Sequence, residues 1–287
     1  MTRVACIGEP MIEVSMRGDT AGIGVAGDTL NSAIYLKRSE PEIEVDYITR
    51  LGDDPFSMRI RDAMTDEDIG TEKIQIERGG SPGLYAISLS DTGERSFTYW
   101  RSASAARNLF SDGDFSPLEG YDLVYLSAIS MAILPHSVRK TLIAHIKSAD
   151  IPVAYDSNHR PKLWDSIEHA REVTNEFWGF CHIPLPSIDD EMELFAESEA
   201  AVIERTKTIH GVGALKRGEI GPLSIGEDVN QTYPPADEVI DTTAAGDSFN
   251  GGYLAARLRG MSQTASLLAG HKLAAKVVGY PGAIIPR

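Results

Sequence analysis

Cysteine is nearly missing from this chain. Cys6 and Cys181 are the only two in 287 residues, and no Cys-x-x-Cys occurs. A disulfide framework is therefore not implied. Long apolar runs are missing too, since no window reaches the roughly 18 apolar residues of a membrane span. The opening MTRVACIGEPMIEV reads as a first strand rather than a signal peptide, so a cytoplasmic protein is expected. Positive charge is scarce: 27 Lys and Arg stand against 42 Asp and Glu, for a formal net charge of −15. Such a surface repels nucleic acid and anionic membrane, and neither is expected as a partner. Any anion site must be built locally. Motif absences narrow the chemistry further. There is no G-x-x-x-x-G-K-[ST], which excludes a P-loop enzyme, no H-E-x-x-H, no G-x-S-x-G, and no zinc spacing among the seven histidines.

What is present suits one large α/β domain with a small appended element. VACIGEPMIEV (4–14) reads as a buried strand, DTLNSAIYLKR as a helix that Asp28 can cap, VDYITRLG (45–52) as a second strand and residues 53–69 as a second helix. Residues 74–101 differ. LYAISLS and RSFTYWR alternate around the turn DTGE, as antiparallel strands of a small sheet outside the main one do. That sheet is a candidate lid. Strands at 122–127, 152–158 and 212–218 follow, with helices at 138–149 and late in the chain. Polar residues close several of these strands, which places the chemistry at the C-terminal ends of a covered parallel sheet.

GIGVAG (22–27) matches the dinucleotide fingerprint G-x-G-x-x-G. Two features argue against that use. MRGDTA separates it from the preceding strand, and Asp28 stands where a pyrophosphate would lie. A flexible turn and a polyol-binding edge using Asp28 and Asn31 are the other readings.

DTTAAGD (241–247) opens a helix expected to begin near Ala245. The N–H groups of Ala244, Ala245, Gly246 and Asp247 would then be free, small side chains would admit an anion, and the helix dipole would favour it. A carboxylate beside that hole repels a resting anion. It suits phosphoryl transfer, with Asp247 taking a hydroxyl proton while the N–H groups hold developing charge. Simple helix capping by Asp247 is the bland alternative. Arg101 in SFTYWR and Arg160 in DSNHRP are cations at strand ends; each is either a surface ion-pair partner or a carboxylate grip. Tyr85 and Tyr99 either pack the small sheet or put hydroxyls at its open face.

DTTAAGD resembles the C-terminal signature of the ribokinase-like (PfkB) carbohydrate kinases. GEPMIEV, AGDTLNSAIYL, ITRLGDDPFS, PGLY, GERSFTYWR, YLSAISMAIL, YDSNHRPKLW, LKRG and GAIIPR extend the resemblance along the chain, toward members that act on sugar acids. It implies a single catalytic domain over 1–287, an α/β three-layer fold with a mostly parallel central sheet and a β lid from about 12–24 and 74–101. It implies Asp247 as base, Ala244, Ala245 and Gly246 as anion hole, and nucleotide contacts at Ser187, Lys216, Arg217 and Gly218. Sugar contacts carry over to Gly27, Tyr85, Tyr99, Arg101 and Arg160, with Asp28 and Asn31 toward hydroxyls. The family's magnesium-linked Asn-x-x-Glu falls on Ser187 to Asp190; Ser and Asp replace its ends, leaving Asp190 as the carboxylate toward Mg²⁺. The implied reaction is phosphorylation of 2-dehydro-3-deoxy-D-gluconate at O6 by ATP, in a homodimer paired through the lid. A kinase for fructose, ribose or 2-dehydro-3-deoxygalactonate, and a non-catalytic sugar-acid-binding regulator, are the competing readings.

Overall fold

The computed structural model describes residues 1–17, 20–89 and 95–287. The chain runs β1 (Arg3–Ile7), β2 (Met11–Arg17), β3 (Thr20–Ala26), α1 (Asp28–Ser39), β4 (Glu44–Ile48), β5 (Arg50–Gly52), α2 (Pro55–Asp66), β6 (Gln75–Glu77), β7 (Gly83–Leu89) and β8 (Arg95–Trp100). It continues through β9 (Leu123–Ser127), α3 (Ala128–Ile133), α4 (His136–Ser148), β10 (Val153–Asp156), α5 (Ile167–Trp178), β11 (Ile183–Leu185), α6 (Ile188–Phe195) and α7 (Glu199–Thr206). It ends with β12 (Gly213–Leu215), β13 (Leu223–Ile225), α8 (Ala245–Leu258) and α9 (Gln263–Val277). The DTGE turn lies outside the described residues.

The central sheet has the order β11-β10-β9-β1-β4, and every pairing is parallel. Its three central strands, β10, β9 and β1, are apolar in their interiors because both faces are covered. Alternate residues go to different cores. Ala5, Ile7, Val124, Leu126, Val153 and Tyr155 join α3, α4 and α5 on one side. Val4, Cys6, Leu123, Tyr125 and Ala154 join α1 and α8 on the other. This is a three-layer α/β architecture. Among the described residues no helix is long and apolar enough to cross a membrane.

The second sheet has the order β3-β2-β7-β8, with β2 and β7 parallel and the outer pairs antiparallel. One face, with Ile12, Val14, Val25 and Leu84, packs on the second core. On the other face Met11 and Tyr85 cluster with Ala26, Ala283 and Ala244, so this small sheet meets the start of α8.

Several expectations are corrected. Residues 4–14 form two strands in two sheets, broken at Gly8, Glu9 and Pro10. Pro10 lacks the N–H a continuous ladder needs, and a Cβ on Gly8 would lie 2.0 Å from Thr29 Oγ1. Residues 45–52 also divide, because β5 leaves the central sheet to pair with β6. Residues 75–77 thus stand outside the small sheet. GIGVAG is neither turn nor fingerprint loop but most of β3. Gly22 and Gly24 oppose Ser15 and Glu13, while Ile23 and Val25 occupy the other face. The repeated glycine is therefore strand alternation. Asp28 does not cap α1; Gly27 is the N-cap and Asp28 the first helical residue.

Candidate active site

The N-terminus of α8 is positioned by Asp241, which is buried. Its Oδ1 accepts from the Thr243 N–H at 3.0 Å and its Oδ2 from the Gly282 N–H at 2.6 Å. Ala244, the N-cap, sits in the left-handed region at φ 59°, ψ 17°, a strain of about 1–2 kcal/mol for a residue with a Cβ. The helix starts at Ala245, as its small-residue lead implied. One expected donor is engaged: the Ala245 N–H reaches Thr242 O at 3.2 Å. Gly246 leaves open space, and a Cβ there would stand 3.8 Å from Lys216 Nζ. The helix N-terminus and an ammonium therefore converge.

Asp247 lies in the first turn of α8, and Asn31 Nδ2 donates to its Oδ2 at 2.8 Å. Loss of hydration is the main reason its pKa is pushed up to about 8, with the Asp28 and Asp156 carboxylates adding and the Asn31 hydrogen bond and Lys216 opposing. Asp28 is itself held by the Ser127 hydroxyl and by Asn158 Nδ2 at 3.0 Å. A carboxyl that resists ionisation in its resting surroundings is a stronger base once ionised.

Beneath this point is a buried polar network that sequence reasoning missed. Asp156, at the end of β10, accepts from Lys216 Nζ at 2.7 Å and from Asn250 Nδ2 at 2.7 Å. Asn250 also receives Lys216 at 3.3 Å and donates to Tyr125 O–H at 3.0 Å. A buried lysine needs such a partner. The available signal was the polar ending of VAYDSN, together with an asparagine one turn beyond Asp247 on α8.

Two more carboxylates were missed, Glu9 in the break before β2 and Glu13 on β2. Arg101, 9% exposed, directs Nε at 2.7 Å and one terminal nitrogen to Glu9 Oε2. Tyr85 O–H donates to Glu13 Oε2, and its ring centroid lies 5.7 Å from that of Tyr99, which is exposed. On the far side of the cleft, Arg160 Nη1 approaches Asp190 Oδ1 at 3.4 Å. Burial raises the Asp190 pKa to about 6, with Arg160 and Lys216 opposing and Asp156 adding.

One cleft of about 1160 Å³ unites these groups at the C-terminal ends of the central strands. It is lined by Gly27, Asp28, Asn31, Tyr85, Tyr99, Arg101, Arg160, Ser187, Asp190, Lys216, Gly218, Ala244, Ala245, Gly246 and Asp247. Arg217 is the exception among the expected residues, since its Nε turns to Gly221 O at 3.2 Å within its own loop. Among the described residues no group of three or more His, Cys, Asp or Glu could hold a metal ion by itself.

A cleft at strand ends, an anion-admitting helix N-terminus and an adjacent carboxylate of raised pKa define a phosphotransferase arrangement. The family model described as pfkB family carbohydrate kinase matches residues 1–287, and the chain belongs to that family. It is 39% identical over 301 residues, covering 99% of this chain and 96% of the relative, to the "2-dehydro-3-deoxygluconokinase" of Dickeya dadantii. The fold is similar to that of a PfkB protein from Polaromonas sp. JS666, with TM-score 0.82, 23% identity and coverage of 97% and 96% of the two chains. It is also similar to that of an uncharacterized sugar kinase from Pyrococcus horikoshii in complex with ATP, with TM-score 0.79, 22% identity and coverage of 98% and 93%.

Proposed function

We propose that this protein transfers the γ-phosphoryl group of ATP to the 6-hydroxyl of 2-dehydro-3-deoxy-D-gluconate. The observation that carries the reading is the placement of Asp247 at the α8 N-terminus in the same cleft as Arg101 and Arg160. Arg160, the more exposed of the two, exchanges Asp190 for the substrate carboxylate. Arg101, neutralised on one side by Glu9, presents its remaining edge to the same group. With the acid end fixed there, the terminal hydroxyl comes to Asp247, which takes its proton as the oxygen attacks phosphorus. The free N–H groups at the start of α8 and the Lys216 ammonium stabilise charge on the transferring group. Ser187 and Gly218 border the nucleotide.

The donor set fits Mg²⁺ of the hydrated kind. Asp190 offers a carboxylate whose ionisation burial opposes, which a cation would favour, and Mg²⁺ binds through one or two carboxylates, waters and phosphates. Asp190 would hold it, and the ion would supply neutralisation of the phosphate charge.

Residues 1–287 serve as one catalytic unit, with the small sheet as a lid that excludes water during transfer. Exposed Ile23 and Trp100, on the face of that sheet opposite the cleft, give it an apolar surface suited to a second copy, hence a homodimer. The acidic surface leaves nucleic acid and membrane out of its partners, and the requirement for ATP suits the cytoplasm.

The reading is tested by kcat/KM for the sugar acid against an analogue carrying hydroxymethyl in place of carboxylate. The wild type prefers the acid strongly, and Arg160→Ala loses most of that preference, at about 2–5 kcal/mol for a lost charged contact. Equal losses on both acceptors would mean that Arg160 serves the fold or the phosphates instead. Arg101→Ala measured the same way shows whether the lid reads the acid.

A further inference from the structure

Tyr85 differs from the two arginines in a way that decides which part of a sugar it can read. The parallel register of β2 and β7 sets Glu13 opposite Tyr85, and the antiparallel register of β7 and β8 sets Tyr99 on its other side. Tyr85 is 7% exposed and lines the cleft. Its phenol donates to Glu13 Oε2, while the Ser15 hydroxyl donates to Glu13 Oε1 at 3.0 Å. Gly24 lies opposite Glu13 on the third side. A Cβ there would make only ordinary contact, 3.6 Å from Glu13 Oε1. Glu13 is thus an acceptor in both of these bonds.

A phenol has one proton to give. With that proton committed to Glu13, Tyr85 has only lone pairs left for the cleft. A carboxylate or a keto oxygen, which brings no proton, gains nothing from it; a hydroxyl does. We propose that Glu13 is a positioning residue that fixes Tyr85 as a hydrogen-bond acceptor, making this point of the cleft a reader of a donating sugar hydroxyl. The inference rests on the proposed reading of the cleft as a sugar-acid site. It divides the work within that site: the arginines take the acid end, and Tyr85 takes a hydroxyl of the chain between the acid and O6.

The test compares the sugar acid with its 4- and 5-deoxy and 4- and 5-deoxyfluoro analogues as acceptors, by kcat/KM from ADP release. Fluorine can accept weakly but cannot donate. At one of the two carbons the wild type should lose about 10- to 100-fold on the deoxy and the deoxyfluoro analogue alike, the scale of a buried acceptor left without its donor. Tyr85→Phe should compress that loss to below about threefold. Glu13→Leu, which offers the phenol no acceptor and so frees its proton for the cleft, should also compress it and should favour fluoro over deoxy. KM for ATP should stay unmoved in both variants, which a general disturbance of the cleft would not allow. A wild type that accepts the fluoro analogue as well as the hydroxyl at both carbons overturns the inference without any variant. Discrimination retained in Glu13→Leu overturns it as well. A wild type active on a neutral sugar but not on the acid would sink the substrate reading alone, and the same deoxy series on that sugar would then decide the role of Glu13.

Discussion

Replacing Asp247 with Asn separates catalysis from stability at a single atom. In the wild type the Asp247 pKa stands near 8, raised by lost hydration and by Asp28 and Asp156. Proton abstraction requires the ionised form, so kcat/KM should rise with pH through about 8. Asn cannot accept the proton, and turnover should fall by about 10²- to 10⁴-fold, the usual share of a general base, with the rise near pH 8 gone. Stability should move the other way. A carboxyl whose folded pKa exceeds its unfolded value binds its proton more tightly in the fold. Its ionisation therefore destabilises the protein progressively from about pH 4 to about pH 8. Asn removes that penalty. Cleft water reduces the recoverable amount to about 2 kcal/mol, or about 3 °C in Tm for a chain of 287 residues. Ligand-free wild type and variant should unfold at nearly the same temperature at about pH 4 and diverge up to about pH 8, the variant higher. Thermal unfolding across that range checks it. A Tm difference that is independent of pH, or a variant with near-wild-type kcat, would refute the reasoning.

Asp156→Ala should destabilise by about 3–5 kcal/mol, because it leaves the Lys216 ammonium buried without the carboxylate 2.7 Å away; denaturant unfolding measures the loss. Gly27→Ala should destabilise by about 1–3 kcal/mol, since its Cβ would come within 2.5 Å of the Glu9 carbonyl oxygen, and it should raise KM for the sugar by disturbing the entry to α1. Titration with NAD and NADP should show no saturable binding at micromolar concentrations, because GIGVAG is a strand of the small sheet.

Much of the site was legible because its residues sit in short, chemically marked segments. Small residues around Asp247 foretold the start of α8, and the polar endings of apolar runs foretold a cleft at the C-terminal edge of the sheet. What escaped depends on long-range pairing. Glu9 and Glu13 read as ordinary members of one strand, and only the break at Pro10 and the β2–β7 register bring them to Arg101 and Tyr85. The Asp156–Lys216–Asn250 contact joins residues 60 and 34 positions apart, a spacing with no local signature. Arg217 was placed at the nucleotide by resemblance alone, and the turn from Gly218 to Gly221 draws its side chain away. GIGVAG is set apart from a dinucleotide fingerprint by its sequence context but reads there as a turn or polyol-binding edge; it is mostly strand, and glycine on one face of a strand repeats with the same spacing as a phosphate-binding turn.

The central claim is a reaction, and its product decides it. Purified protein with ATP, Mg²⁺ and 2-dehydro-3-deoxy-D-gluconate should release ADP well above the rate without acceptor. Phosphorus–proton correlation in the NMR spectrum of the product should place one phosphate on C6. Saturable binding of the acid without ADP release, or phosphorylation confined to fructose or ribose, would contradict the account.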